Sequence, residues 1–291
     1  MKEQSGIGHE ALPRILHPTD FSQVSELAFA HALKIALGSG AELEMIHVAP
    51  HASKTNENVH WTDFPGVRTT LARWGVLPAN AQRDEVAKIG IRVKKLVERA
   101  SDPVGTILEY CVHHRPDLIV LATHQRDGLS RWAHKSIAEP LARESGAMTL
   151  FVPQSGRGFV SLATGEVRLG RILIPVDSEP NAQVALDEAY FLASGLGAEE
   201  TQFKLLHVGE GENLPKLRLP KHPGWTWEEV VLGGDPVTQI LRLEAEWGPD
   251  LIILATRGRL DLLDALRGST TERVVRGAHC PVLAVPVPNF S

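Results

Sequence analysis

The residues best suited to chemistry lie near the C-terminus, in ATRGRLDLLDALRGST, Ala255 to Thr270. Gly258 and Gly268 leave backbone N–H groups open to close approach by an anion. Ser269 and Thr270 add hydroxyls, and either would cap a helix expected to begin near Thr271. A helix N-terminus with free N–H groups favours phosphate. Arg257, Arg259 and Arg267 supply cations beside it. The same residue types at a strand–loop–helix junction also serve as plain turn and cap, so spacing leaves both readings open.

A second group must lie nearby for the loop to form a site. In ILIPVDSEPN, Asp177 follows a short β-rich run. Ligands of open doubly wound sheets bind beyond strand C-termini, where the strand order reverses. If the strands ending near Asp177 and Ala255 are neighbours there, the carboxylate and the glycine loop face one crevice. The carboxylate would then accept hydrogen bonds from a base or ribose. Equally, Asp177 would cap the following helix, as Asp20 would in the corresponding RILHPTD.

That correspondence runs through the chain. RILHPTD (Arg14 to Asp20) matches RILIPVD (Arg171 to Asp177), and MIHV (Met45 to Val48) matches LLHV (Leu205 to Val208). SDPVGTILEYCVHHRPDLIVLAT ending at Thr123 matches GDPVTQILRLEAEWGPDLIILAT ending at Thr256, and AMTLFVP answers CPVLAVP. Such self-similarity predicts two domains, 11–154 and 168–288, joined by a linker at 155–167 with a hairpin about Thr164-Gly165. The second copy is shorter between Val208 and Gly234. Its counterpart in copy one contains PANAQRDEVAKIG, which reads as a helix, so copy two is expected to lack one helix.

Runs such as ILIPV, FKLLHV, WEEVVL, LIILA and VLAVP alternate with helical stretches, predicting an α/β fold. Five parallel strands are expected per domain, with crossover helices. Asp102 and Asp235, each followed by proline, fit helix N-caps. Cys111 follows Val104, Ile107 and Leu108 at helical spacing, which reads as a packed thiol. Cys111, His113 and His114 lack the further ligands a zinc site needs. His47 and His207 fall at equivalent strand ends, where they would line any pocket. Trp225 and Trp227 read as packing under the shortened segment.

Hydrophobic residues make up 43% of the chain and charged residues 22%, enough for a core and a solvated surface. A net charge of −5 argues against a general binder of nucleic acid or anionic membrane. The N-terminal stretch has no apolar signal core and the apolar runs are short. Two cysteines give no disulfide framework and fit a reducing compartment, so a cytoplasmic location is expected. No nucleophile–base constellation, Walker lysine or paired-carboxylate pattern is present.

The glycine loop and the duplicated blocks resemble the universal stress protein family, over nearly the whole chain. The ATP-binding members carry Gly, two residues, Gly, nine residues, Gly, then Ser or Thr. Here the pattern falls on Ala255, Gly258, Gly268 and Ser269; the alanine departs from it by one methyl group. In copy one the same places hold Ala122, Gln125, Lys135 and Ser136, side chains where phosphate needs bare backbone. The resemblance implies two open sheets of order 3-2-1-4-5 paired as a pseudo-dimer through their last strands, TLFVP with VLAVP. It implies ATP, or a related adenine nucleotide with Mg, held in copy two by Pro175, Val176, Asp177, Val208, Ala255, Thr256, Arg257, Gly258, Arg259, Gly268, Ser269 and Thr270. Copy one is then degenerate. A stress-response role by binding follows, with protein partners or a homodimer as further expectations. A protein-interaction scaffold without nucleotide, and a slow ATPase, are the alternatives.

Overall fold

A computed structural model of the chain describes residues 13–50, 60–123, 138–154, 157–257 and 270–287. The first half runs β1 (Arg14–Pro18), α1 (Gln23–Ser39), β2 (Glu42–Ala49), α2 (Val67–Arg73), α3 (Arg83–Lys88), β3 (Arg92–Arg99), α4 (Pro103–His114), β4 (Leu118–Thr123), α5 (Ala138–Glu144) and β5 (Met148–Pro153). The second runs β6 (Arg171–Pro175), α6 (Gln183–Gly195), β7 (Thr201–Val208), β8 (Trp225–Leu232), α7 (Pro236–Trp247), β9 (Leu251–Arg257), α8 (Thr270–Gly277) and β10 (Val282–Val287).

The strands form one ten-stranded sheet in the order β3-β2-β1-β4-β5-β10-β9-β6-β7-β8. Each half therefore has the 3-2-1-4-5 order, and within each half every pairing is parallel. The halves join where β5 pairs antiparallel with β10, Leu150 opposite Leu283. The pseudo-dimer through the last strands is thus built within one chain.

Central strands are apolar on both faces because helices cover both. In β4, Leu118 and Val120 enter one core cluster while Ile119 and Leu121 enter the other. On the first face α1 lays Ala28, Ala32 and Ala36 against the sheet, and α6 does the same with Ala185, Ala189 and Ala193. Alanine lets both helices lie close. Near their C-termini the equivalent residues Gly38 and Gly195 meet, and a Cβ on Gly38 would collide with the Gly195 carbonyl.

Caps follow the sequence in part. Asp235 accepts a hydrogen bond from the Thr238 N–H at 2.9 Å and caps α7. Asp102 stands at the N-cap of α4 but its side chain makes no capping bond. α7 ends at Gly248 in the left-handed region (φ 63). α4 ends the same way at Arg115 (φ 47), a conformation that costs a side-chain-bearing residue more.

The segment that shortens in copy two holds both α2 and α3 in copy one. Its counterpart after β7 contains only a 3-10 turn at Gly211–Asn213, so the difference is two short helices rather than one. α2 escaped a reading by periodicity because its seven residues span under two turns. Over β7 and β8 the lost helices are replaced by tryptophan: Trp227 stacks on Phe203 at 4.1 Å, and the Trp225 indole donates to Ala198 O at 2.8 Å.

The connection between halves is a hairpin, as its Thr164-Gly165 suggested. Val160 bridges Val167 antiparallel, and Gly165 turns with φ 67. It is anchored on the first half. His31 of α1 donates from Nδ1 to Leu27 O at 2.7 Å, so its Nε2 accepts from the N–H of Phe159 at 3.0 Å and of Val160 at 3.3 Å. Gly158 lies so near the His31 ring that a Cβ would be 2.8 Å from Nε2. The Trp74 indole donates to Leu162 O at 3.1 Å.

Candidate functional site

β6 lies between β7 and β9, so the strand order reverses beside it. The chain leaves the sheet at its C-terminal end through Pro175, Val176 and Asp177. Val176 is buried, and its N–H donates to Leu206 O at 2.8 Å, carrying the backbone past the end of β6 along β7. Asp177 is exposed. It does not cap α6, whose N-cap is Ala182. Asp177 Oδ1 accepts instead from the Ser178 N–H at 2.7 Å. Asp20 likewise holds the Ser22 N–H at 3.0 Å, and Ser22 is the N-cap of α1. The capping alternative therefore fails for both aspartates, because each sits too far before its helix.

On the other side of β6, β9 continues past Ala255 through Thr256 to Arg257. Ala255 and Thr256 are half-buried; Arg257 is exposed. The Arg257 guanidinium lies 3.1 Å from Glu179 Oε2, so the start of the glycine loop is tied to the loop after Asp177. Thr270 opens α8, one residue earlier than the cap reading placed the helix start. Gly258, Arg259, Arg267, Gly268 and Ser269 lie outside the described residues, as do Gln125, Lys135 and Ser136 of copy one. Of the expected contacts, Pro175, Val176, Asp177, Val208, Ala255, Thr256 and Arg257 gather at the ends of three adjacent strands.

His207, on β7 before Val208, is buried, with Nδ1 3.2 Å from Val176 O. His47 repeats this contact in the first half, 2.8 Å from Thr19 O. Beyond this point the halves diverge. Phe21 adopts φ 63 and lays its ring on His47 at 4.1 Å, with Phe64 edge-on at 5.0 Å. Ser178 stands where Phe21 does, so the second half has no such ring. Beneath this, the first half carries a polar group: Ser25 Oγ lies 3.4 Å from His17 Nε2 and 3.2 Å from Thr19 Oγ1. Burial lowers the His17 pKa to about 4, against the pull of the Val120 carbonyl, which its Nδ1 meets at 3.0 Å. The equivalents Ile174, Val176 and Ala182 are apolar and buried. The Phe21 plug had only one sequence signal, FSQ in place of SEP after the shared aspartate.

A family model, the universal stress protein family, matches residues 12–153 and 209–286, well over half of the chain and in both halves. The chain belongs to the universal stress protein family. Universal stress protein MJ0531 of Methanocaldococcus jannaschii is 27% identical over 154 residues, spanning 44% of this chain and 88% of the relative. A universal stress protein from Archaeoglobus fulgidus, known from its crystal structure, superposes with a TM-score of 0.60 at 19% identity, over 96% of this chain and 97% of that one. The functionally unknown protein PA1789 of Pseudomonas aeruginosa gives 0.61 at 16% identity, over 95% and 93%. These two likenesses show the fold.

Elsewhere in this universal stress protein the residues singled out by type are structural. His113 and His114 each bond through Nδ1 to a carbonyl one turn back, Glu109 O and Tyr110 O. Cys111 and Cys280 are free and buried, and desolvation pushes the Cys111 thiol up to about 11 and Cys280 further up. A cavity of about 560 Å³, touched by Lys34, Arg168, Glu199 and Asp250, lies at the N-terminal ends of β6, β7 and β9, away from the strand ends described above. Among the described residues no helix is long and apolar enough to cross a membrane.

Proposed function

We propose that the second half binds an adenine nucleotide, ATP with Mg, at the C-terminal ends of β6, β7 and β9, and that the protein serves in stress response by binding rather than turnover. The observation that carries this is the convergence of Asp177 with Ala255–Arg257 at the strand-order reversal, tied by the Arg257–Glu179 pair. Ligands of such sheets bind there. The donor set suits the ligand: an exposed carboxylate for base or ribose, then a loop with Gly258, Gly268 and the hydroxyls of Ser269 and Thr270 for phosphates. Arg257 and Arg259 add positive charge beside that loop.

The first half, 11–154, is assigned a degenerate site. Phe21 covers the His47 ring where the second half, 168–288, has Ser178. Gln125 and Lys135 replace both loop glycines. The test is nucleotide content: denature freshly purified protein and analyse the released small molecules by mass spectrometry, with MgATP calorimetry alongside. About one nucleotide per chain supports the assignment, and two per chain overturns the degenerate first half. None, with no heat of binding, favours a protein-interaction scaffold in the cytoplasm. Gly268→Lys, which copies the first half, should abolish binding while leaving the circular dichroism spectrum unchanged. Phosphate release in a single-turnover assay would instead mark a slow ATPase.

A further inference from the structure

We propose that the cavity at the N-terminal ends of β6, β7 and β9 binds a small zwitterion: an ammonium and a carboxylate joined by an apolar body, as in a free aliphatic amino acid or a dipeptide. Its volume of about 560 Å³ falls within the range of small-molecule sites. Three segments build it. The one before β6 carries Arg168 between Val167 and Leu169, and the turn before β7 carries Glu199 and Glu200. Lys34 comes from α1 of the first half, so the site exists only because the two halves share a chain. Two cations and two glutamates thus face one space, yet among the described residues none of these four side chains makes a hydrogen bond or an ion pair. The cavity holds opposite charges apart, and a ligand bearing both signs meets both. Val167, Leu169 and Leu196 supply an apolar wall for its body.

The fifth charge on the cavity is already engaged. Asp250 accepts from the Arg171 N–H at 2.9 Å, as Asp117 accepts from the Arg14 N–H at 2.8 Å in the first half, so this carboxylate is architectural in both copies. The walls are fixed by bonds of their own. The Thr201 hydroxyl donates to Leu169 O at 2.8 Å, joining the segment before β6 to the start of β7. The Trp225 indole donates to Ala198 O at 2.8 Å and holds the turn that carries Glu199. Walls set in advance spare a ligand the cost of ordering them. The duplication supplies a contrast. Lys34 precedes Gly38 by the same four residues that separate Phe191 from Gly195, its equivalent, and Phe191 is 65% exposed. The matching position on α6 therefore carries no charge, and one site per chain is expected.

The test is calorimetry on the full chain with leucine and with alanyl-leucine, each beside its N-acetyl and C-terminal amide forms. Wild type should bind at least one of the two zwitterions, once per chain, with a dissociation constant of about 1 mM or tighter. Capping the ammonium or the carboxylate of the ligand should weaken binding about tenfold or more, the usual loss of a hydrogen bond to a charged group. Lys34→Gln should do the same while leaving the melting point of the ligand-free protein in place. Arg168 and Glu200 are exposed, so Arg168→Gln and Glu200→Gln serve if Lys34→Gln does not fold. Each should weaken binding about threefold, the smaller effect of a solvent-screened charge. No heat from either zwitterion at about 10 mM overturns the proposal. Equal binding of the capped forms overturns it as well, and so does unchanged affinity in every variant that folds.

Discussion

Asp177 is the residue whose role divides binding from architecture. Its carboxylate is exposed and accepts from the N–H and the hydroxyl of the adjacent Ser178, both local contacts, so the fold does not depend on it. Asp177→Ala should therefore lower MgATP affinity about tenfold or more, the usual loss for a hydrogen bond to a charged group, while the thermal midpoint stays nearly constant. Calorimetry and a melting curve on the same sample check both. A large fall in the midpoint would make the residue structural. Asp20, its counterpart, holds the N–H two residues on, at Ser22, and Phe21 beside it lays its ring on His47. One residue after the shared aspartate thus separates the two halves.

At the scale of elements, α1 and α6 show how equivalent positions become unequal in space. Gly38 and Gly195 occupy equivalent positions, but a Cβ on Gly38 would strike the Gly195 carbonyl, whereas one on Gly195 meets nothing within 4 Å. Gly38→Ala should destabilise the protein by about 1–3 kcal/mol, the cost of overpacking a close helix contact. Gly195→Ala should be neutral or stabilise by up to about 1 kcal/mol, through helix propensity. Urea unfolding of the two single variants checks the pair, and equal effects would refute the asymmetry. The hairpin at 157–167 belongs to this scale as well. Its hold on α1 depends on one imidazole remaining neutral.

For the whole molecule, two buried histidines link stability to pH. His17 and His31 are lowered by desolvation from 6.5 to about 4. Between those values the unfolded chain binds protons that the folded chain does not. Their contribution to stability is therefore complete above pH 6.5 and is lost as pH falls toward 4, by up to about 1.4 kcal/mol per pH unit for each histidine. Urea unfolding at pH 7 and pH 5 should show lower stability at pH 5, and a His17→Leu variant should flatten the dependence. The junction makes a second expectation. β10 is covered by β5 of the other half, so residues 168–288 alone would expose an edge strand open to pairing. That fragment should self-associate, as sedimentation would show; a strictly monomeric fragment would mean the β5–β10 ladder contributes little.

Much of this was legible in the sequence because duplication and periodicity are local signals. The repeated blocks announced two units, and alternating apolar runs and helices announced parallel sheets; the glycine loop with its family pattern is the ground of the proposed site. The hairpin at Thr164-Gly165 was readable from turn chemistry. What the tertiary structure decided depends on contacts between distant segments. That Asp177 does not cap α6 follows from where the helix begins, which its packing sets. That the Phe21 ring lies on His47 needs a left-handed backbone and a partner on another strand, neither visible in the letters FSQ. That His207 is left with an unpartnered nitrogen follows from the Val176 carbonyl claiming the other one. The sequence by itself determined the alternation of strands and helices and that the five-strand frame forms twice. Only packing across the ten-stranded sheet decided which polar atoms remained unpaired, because satisfaction of a buried group is a property of its neighbours in space.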